Sequence, residues 1–111
     1  MSVKAACVVG ELKNSPPKER LAEILRDSGL RAITGRYSVR IEECSHFVFQ
    51  QYGGDLGKPA VDADADSPDE MLRDAEQVSA ALARAGVAHR FEVFDQHDRS
   101  VGCFSHDWAE K

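Results

Sequence analysis

The residues best suited to chemistry are two histidines near the end of the chain. Alternating apolar and polar residues flank a predicted hairpin loop at 96–99. If Asp95 pairs with Ser100 across that loop, His89 lies opposite His106, with Cβ atoms roughly 4.5–5.5 Å apart. A slip of one residue would separate the two histidines onto opposite faces. The spacing therefore predicts neighbouring imidazoles on one face of a sheet.

Two neighbouring imidazoles would support either metal binding or acid–base chemistry. His89 and His106 could share a divalent metal ion, although a zinc site needs three or four ligands and the spacing supplies two. One histidine could instead act as a base oriented by Asp107, with Arg90 binding an anionic group. The ordinary alternative is a pair of hydrogen-bonded histidines near a sheet end. We expect no resident cofactor.

The acidic stretch from Asp62 to Asp66 has an acid at every second position, as a calcium loop does at its start. A calcium loop also needs glycine at its sixth position and glutamate at its twelfth, where this chain has Ser67 and Arg73. This departure excludes the motif and leaves at most weak, nonspecific cation binding. Because negative charge is favourable before a helix, we interpret Asp62, Asp64 and Asp66 as a solvated loop that could contact a partner.

Two other short motifs favour structure over chemistry. Cys44-Ser45-His46 places a thiol beside an imidazole, but nucleophilic cysteines usually take their base from across the fold. The glycine-rich run 53–58 ends in lysine, yet Pro59 follows where a phosphate-binding loop would start its helix. We interpret the first motif as a turn and the second as a flexible loop.

Two amphipathic helices with similar boundaries must position these side chains. Ser-Pro at 15–16 and again at 67–68 predicts capped helix starts with proline in the first turn, and Glu70 completes a capping box. Gly29 and Gly86, each followed by an apolar residue, predict the helix ends. Strand-like patterns occupy 3–9, 36–43, 46–52, 89–95 and 100–106. Residues 60–66 form either a short edge strand or part of a loop.

This order of elements predicts a single α+β domain over residues 1–111. The expected architecture is a ferredoxin-like (split βαβ) two-layer sandwich variant, with two helices on one face of an antiparallel sheet and an additional C-terminal strand. A tandem helix-plus-hairpin duplication is the alternative. Since the helices cover one face only, we expect the other face to bind a ligand or a partner, with Phe91 and Phe104 among its contacts.

Composition limits the possible environments and partners. The net charge of −5 disfavours nucleic-acid binding, which needs a basic stripe to replace phosphate counterions. The apolar runs are too short to cross a bilayer, and the N-terminus lacks the pattern of a signal peptide, which predicts a cytoplasmic location without membrane attachment. Cys7, Cys44 and Cys103 are each flanked by strand-like sequence, which predicts reduced, buried thiols.

These observations favour a small acidic cytoplasmic protein that acts as a non-catalytic interaction module. An inhibitor or immunity-type binder of a basic partner fits the charge and the expected open sheet face. The first alternative is a regulatory domain that binds a small molecule or a metal ion between the sheet and residues 53–66. The second is an enzyme that uses His89, His106 and Asp107.

Overall fold

The computed structural model describes residues 5–13, 16–44, 46–50 and 60–108, which form one seven-stranded antiparallel sheet and two helices. The helices are α1 (Lys18–Asp27) and α2 (Pro68–Arg84). The strands are β1 (Ala6–Leu12), β2 (Ala32–Thr34), β3 (Ser38–Ile41), β4 (His46–Gln50), β5 (Ala60–Ala65), β6 (His89–Asp95) and β7 (Ser100–His106). Across the sheet the order is β2-β3-β4-β5-β1-β6-β7, so β1 lies in the interior.

The α+β class is confirmed, whereas the number and order of the strands differ from the prediction. Strand β2 was not predicted, and the strand predicted over 36–43 corresponds to β3 alone. Residues 60–66 were expected as an edge strand or loop, but residues 60–65 form the interior strand β5 between β4 and β1. Strand β5 consists largely of alanine and aspartate, which both have low strand propensity, so its pattern was weak.

Both helices pack against one face of the sheet, which we call the covered face. The core lies between the helices and the sheet, and it includes the fully buried rings of Phe47, Phe49 and Phe91. The Phe47 ring centroid lies 5.7 Å from each of the other two. Helix α1 contacts β2 and β3, while α2 contacts β1, β5, β6 and β7. Alternate strand residues on the covered face are therefore buried, and their neighbours point to the opposite, open face.

The boundaries of α2 follow the predicted capping chemistry. The Ser67 hydroxyl accepts a hydrogen bond of 3.1 Å from the Glu70 N–H, as expected at an N-cap. The Glu70 carboxylate in turn accepts the N–H of Asp66 at 3.2 Å, one residue earlier than in a standard capping box. Gly29 and Gly86 follow the two helices with φ of +88° and +75°, a conformation that favours glycine.

The start of α1 differs from the prediction. Pro17 occupies the N-cap without a side-chain hydrogen bond, and Lys18 is the first helical residue. Pro16 therefore precedes the helix instead of occupying its first turn. The expected cap Ser15 and the glycine-rich run 53–58 both lie outside the described residues.

Gly10 in β1 allows a close approach of the neighbouring strand's side chain. It lies directly opposite Phe91 of β6. A Cβ atom added at Gly10 would lie only 2.6 Å from Cδ1 of the Phe91 ring. The space above this glycine is therefore already occupied by the aromatic ring.

The β6–β7 hairpin has the predicted register over most of its length. His89 lies opposite His106, as expected from counting outward from the loop. An irregularity near the loop shifts the last pairs, so Ser100 lies opposite Phe94 instead of Asp95. The Asp95 carboxylate instead accepts two backbone N–H groups of the loop, which holds the turn closed.

Candidate functional site

His89 and His106 are neighbours as predicted, but both nitrogens of His89 are used within the core. His89 has no exposed surface, and its ring stacks on that of His106 with centroids 6.3 Å apart. Its Nδ1–H donates to the Val87 carbonyl at 2.9 Å, so Nε2 accepts from the Ser79 hydroxyl at 2.6 Å. His89 could therefore bind a metal ion or a substrate proton only by breaking a buried hydrogen bond.

Burial also lowers the pKa of His89. The hydrogen bond to the Val87 carbonyl acts in the opposite direction, and the nearby His106 lowers the pKa further. Burial dominates, because transfer out of water penalises the charged imidazolium. The neutral ring that results is the form that can accept a hydrogen bond from Ser79.

The other members of the predicted catalytic set do not assemble around His89. Arg90 follows His89 in β6, so its side chain points to the open face. Asp107 is exposed just after β7 and has a φ of 52°. In the part of the chain that the structure describes, the group of side chains close enough to hold a metal ion includes neither His89 nor His106.

The two phenylalanines expected at the partner surface lie on the covered face. Phe91 is fully buried, and Phe104 is partly buried and packs against the same core. Both share the covered face with His89, and α2 packs over β6 and β7 there. Phe94, which alternates with Phe91, is the β6 phenylalanine that points to the open face.

The open face has an apolar centre surrounded by acids. Val9 lies in the interior strand β1, yet 61% of it is exposed. Glu11 follows it on the same side of β1, Glu92 lies opposite it on β6, and Asp62 flanks it on the β5 side. We call Glu11, Asp62 and Glu92 the acidic ring. Protein interfaces commonly place an apolar centre inside a polar rim, and Val9 and the acidic ring have this arrangement.

Basic groups moderate the charge of this face. Arg90 forms an ion pair of 3.6 Å with Glu92, and Arg40 projects from β3 on the same side. Asp62 and Asp64 lie on the open face, whereas Asp66 follows β5 at the approach to α2. The acidic character of the surface is thus greatest near β5.

A second cluster on the open face combines one imidazole with two carboxylates. His46 of β4 lies opposite Asp64 of β5, and Asp62 lies two residues earlier on the same face. The His46 Nε2 atom is 3.1 Å from Oδ2 of Asp62, and the potential ligand atoms of all three residues lie within 4.8 Å of one another. Gln50 donates its amide N–H to Asp62 Oδ2 at 3.3 Å. We call these three residues the His46–Asp62–Asp64 triad.

This triad was not predicted from the sequence because it depends on pairing between β4 and β5. These strands are joined through residues 51–59, too long a connection for a register to be counted along the chain. The alternation of Asp62 and Asp64 was the available signal, but it was interpreted as loop chemistry. His46 was considered only beside Cys44, which is buried while His46 lies on the open face.

The cysteines differ from one another in environment. Cys7 and Cys103 are exposed, which contradicts the prediction that all three would be buried. Cys44 is buried, and burial together with the Asp74 carboxylate raises the pKa of its thiol to about 12. The pKa of the Cys7 thiol is also raised. Partial shielding of the thiol from water is the largest cause, and the negative charges of Asp98 and Asp64 add to it. The adjacent thiol and imidazole of residues 44 and 46 thus do not form a nucleophile–base pair.

No protein-family model matches this chain, and comparisons with curated proteins and with solved structures find no match either. Within the described ranges, neither helix is long and apolar enough to span a membrane. The residues of the open face therefore provide the basis for a functional assignment.

Proposed function

We propose that this protein is a non-catalytic interaction module that binds a basic protein partner through its open sheet face. The observation that carries the proposal is the 61% exposure of Val9 in an interior strand. A partner with an apolar contact surrounded by Lys or Arg would complement Val9 and the acidic ring. Binding of this kind suits an inhibitor or immunity-type protein, whose surface opposes the charge of its target.

The two components of the surface would make different contributions. Removal of Val9 and its apolar neighbours from water would favour the complex, at about 25 cal/mol per Å² of buried apolar area. The acidic ring and the net charge of −5 would mainly accelerate association with a basic partner, and salt would weaken that effect. Affinity that falls with ionic strength is therefore expected.

We also infer that the inner strands and the two helices form a ferredoxin-like, split βαβ core. In support, β4 runs parallel to β1 with β5 between them, and α1 lies on the connection from β1 to β4. Likewise β6 runs parallel to β5 with β1 between them, and α2 connects this pair. The β2–β3 hairpin and β7 would then be additions at the two edges.

We further infer that the protein acts in the cytoplasm and without nucleic acid. All three cysteines are free of disulfide bonds, which suits a reducing compartment. The net negative charge opposes contact with phosphates, whereas it favours a basic protein.

Site-specific photo-crosslinking tests the proposed surface directly. A photoreactive amino acid would replace Val9 on the open face and, as a matched control, the exposed Glu76 on α2. After irradiation in native extract, we expect a discrete adduct from position 9 with a basic protein, identified by mass spectrometry. The adduct should be absent at position 76 and should weaken when Asp62→Lys is added.

Four results would contradict the proposal. Position 9 could yield no adduct, or the same adducts as position 76, which would remove the case for a specific surface. An acidic partner would contradict the charge argument. An adduct with a second copy of this chain would replace a heterologous partner with self-association.

A further inference from the structure

The His46–Asp62–Asp64 triad is held on regular backbone in the interior of the sheet. Strand β4 pairs with β3 and β5, and β5 pairs with β4 and β1. In the β4–β5 ladder His46 pairs directly with Asp64, and Val48 pairs with Asp62, so the spacing between the triad's Cα atoms is determined by this strand pairing. A site on paired strands is more precisely positioned than one on a loop.

The three side chains approach one another closely enough to share an ion. In a tetrahedral zinc site with bonds of 2.0–2.2 Å, ligand atoms lie about 3.4 Å apart. The His46 Nε2–Asp62 Oδ2 distance of 3.1 Å is close to that value, and the full set spans 4.8 Å. Modest side-chain rotation would bring the remaining carboxylate of Asp64 into range without moving the backbone.

The types of ligand atom indicate which ions would bind. One imidazole nitrogen with two carboxylate oxygens suits borderline first-row ions such as Zn²⁺, whereas Ca²⁺ and Mg²⁺ prefer all-oxygen sites. Three protein ligands leave a position open for water or another group. A bound cation would also offset the repulsion between the neighbouring Asp62 and Asp64 carboxylates.

Gln50 provides a further feature that suits a metal site. Its amide donates to Oδ2 of Asp62, which restricts the orientation of that carboxylate. Outer contacts of this kind position metal ligands, and their loss typically weakens binding by about 10- to 100-fold. A simple ion pair between His46 and Asp62 would need neither Gln50 nor the second carboxylate of Asp64.

We propose that the His46–Asp62–Asp64 triad binds one divalent first-row transition ion of the zinc class on the open face. The triad shares Asp62 with the acidic ring, but all three of its ligands belong to this chain, so zinc binding can be tested without the basic partner. It differs from the earlier prediction of a His89–His106 site in both residues and face.

Zinc titration of the metal-free full chain tests this proposal. The starting protein would carry Cys7→Ser and Cys103→Ser, because exposed thiols also bind zinc. Calorimetry and native mass spectrometry should show one zinc ion per chain. His46→Ala and Asp64→Asn should each weaken binding by more than about 100-fold, and Gln50→Ala by about 10- to 100-fold.

Matched controls distinguish the triad from nonspecific binding. His97→Ala and Asp66→Asn remove an exposed histidine and an exposed acid elsewhere, and should leave zinc affinity within about twofold. Circular dichroism would check the folding of each variant. NMR of the unsubstituted triad gives a second measurement, in which zinc should shift the His46 ring signals and leave those of His97 unchanged.

Several results would overturn the proposal. These are no one-to-one uptake, uptake unaffected by the triad substitutions, equal weakening by the controls, or tighter binding of Ca²⁺ than of Zn²⁺. His46 ring signals that do not shift when zinc is added would also overturn it. This NMR result uses the unsubstituted triad, so it holds even if a triad variant fails to fold. Because no protein partner is present in this experiment, its failure would leave the proposed docking function intact.

Discussion

The covered and open faces of the sheet give the same residue type different roles. On the covered face, His89 is fully buried and hydrogen-bonded to Ser79 and Val87. On the open face, His46 is one-third exposed and lies beside the Asp62 carboxylate. Both histidines occur in strands and face a polar residue across the ladder. Burial and the type of partner therefore determine the chemistry available to each imidazole. The spacing of the histidines along the sequence does not.

The cysteines should show the largest difference between the faces. Because the pKa of Cys44 is about 12, its thiolate is on the order of a thousandfold scarcer than that of a thiol with pKa near 9. We expect a thiol reagent at pH 8 to modify Cys7 and Cys103 in the native protein, and Cys44 only after denaturation. Peptide mass spectrometry measures this, and rapid native modification of Cys44 would contradict it.

Replacement of the two histidines should affect stability unequally. His89→Ala removes a fully buried ring and leaves the Ser79 hydroxyl and Val87 carbonyl without their partner, so we expect a loss of about 2–4 kcal/mol. In metal-free protein, His46→Ala should change the free energy of unfolding by less than about 1 kcal/mol. Urea denaturation measures the free energy of unfolding of both variants. Equal losses would show that burial does not distinguish the role of His89 from that of His46.

Ser79→Ala tests the hydrogen bond of the covered face without removing the ring. The buried Nε2 of His89 would lose its donor, and we expect a loss of about 1–2 kcal/mol after the better helix propensity of alanine is included. Ser105→Ala, exposed on β7, is the matched control and should have little effect. A similar midpoint shift in both variants would contradict a special role for the Ser79 hydroxyl.

The lowered pKa of His89 predicts a dependence of stability on pH. Below the ordinary pKa of 6.5, His89 becomes protonated in the unfolded chain. In the folded protein its pKa is lower, so the buried ring is protonated only at lower pH. This contribution to stability is therefore present above pH 6.5 and is lost as pH falls towards the folded pKa, by at most about 1.4 kcal/mol per pH unit.

The free energy of unfolding measured at several pH values gives this slope. An NMR titration of the His89 ring in the folded protein shows whether His89 is its source. His97→Ala, in the exposed loop, should retain the acid sensitivity. Protonation of native His89 at or above pH 6.5 would contradict the predicted direction.

Features that depend on neighbours along the chain could be predicted from sequence. Gly29, Gly86 and the Ser67 cap mark helix boundaries through local backbone chemistry, and the short 96–99 loop allowed the pairing of His89 with His106 to be counted. Each of these signals lies within a few residues of the feature it predicts, so no tertiary information was needed.

The open-face residues required information that periodicity does not contain. Strand β1 is apolar on both sides, with Ala6 and Val8 on one side and Cys7 and Val9 on the other. Alternation therefore could not show which side the helices cover, and the thiols were assigned to the core. The metal-ligand triad required the β4–β5 register, which is a tertiary property.

The contact between Gly10 and Phe91 has a consequence for sequence divergence. The ring of Phe91 occupies the volume of two opposed positions, because Gly10 supplies no side chain to that part of the core. Chains descended from this one could gain a larger residue at position 10 only if position 91 became smaller at the same time. We expect the two positions to change as a pair, with total volume kept and the individual residues free to differ.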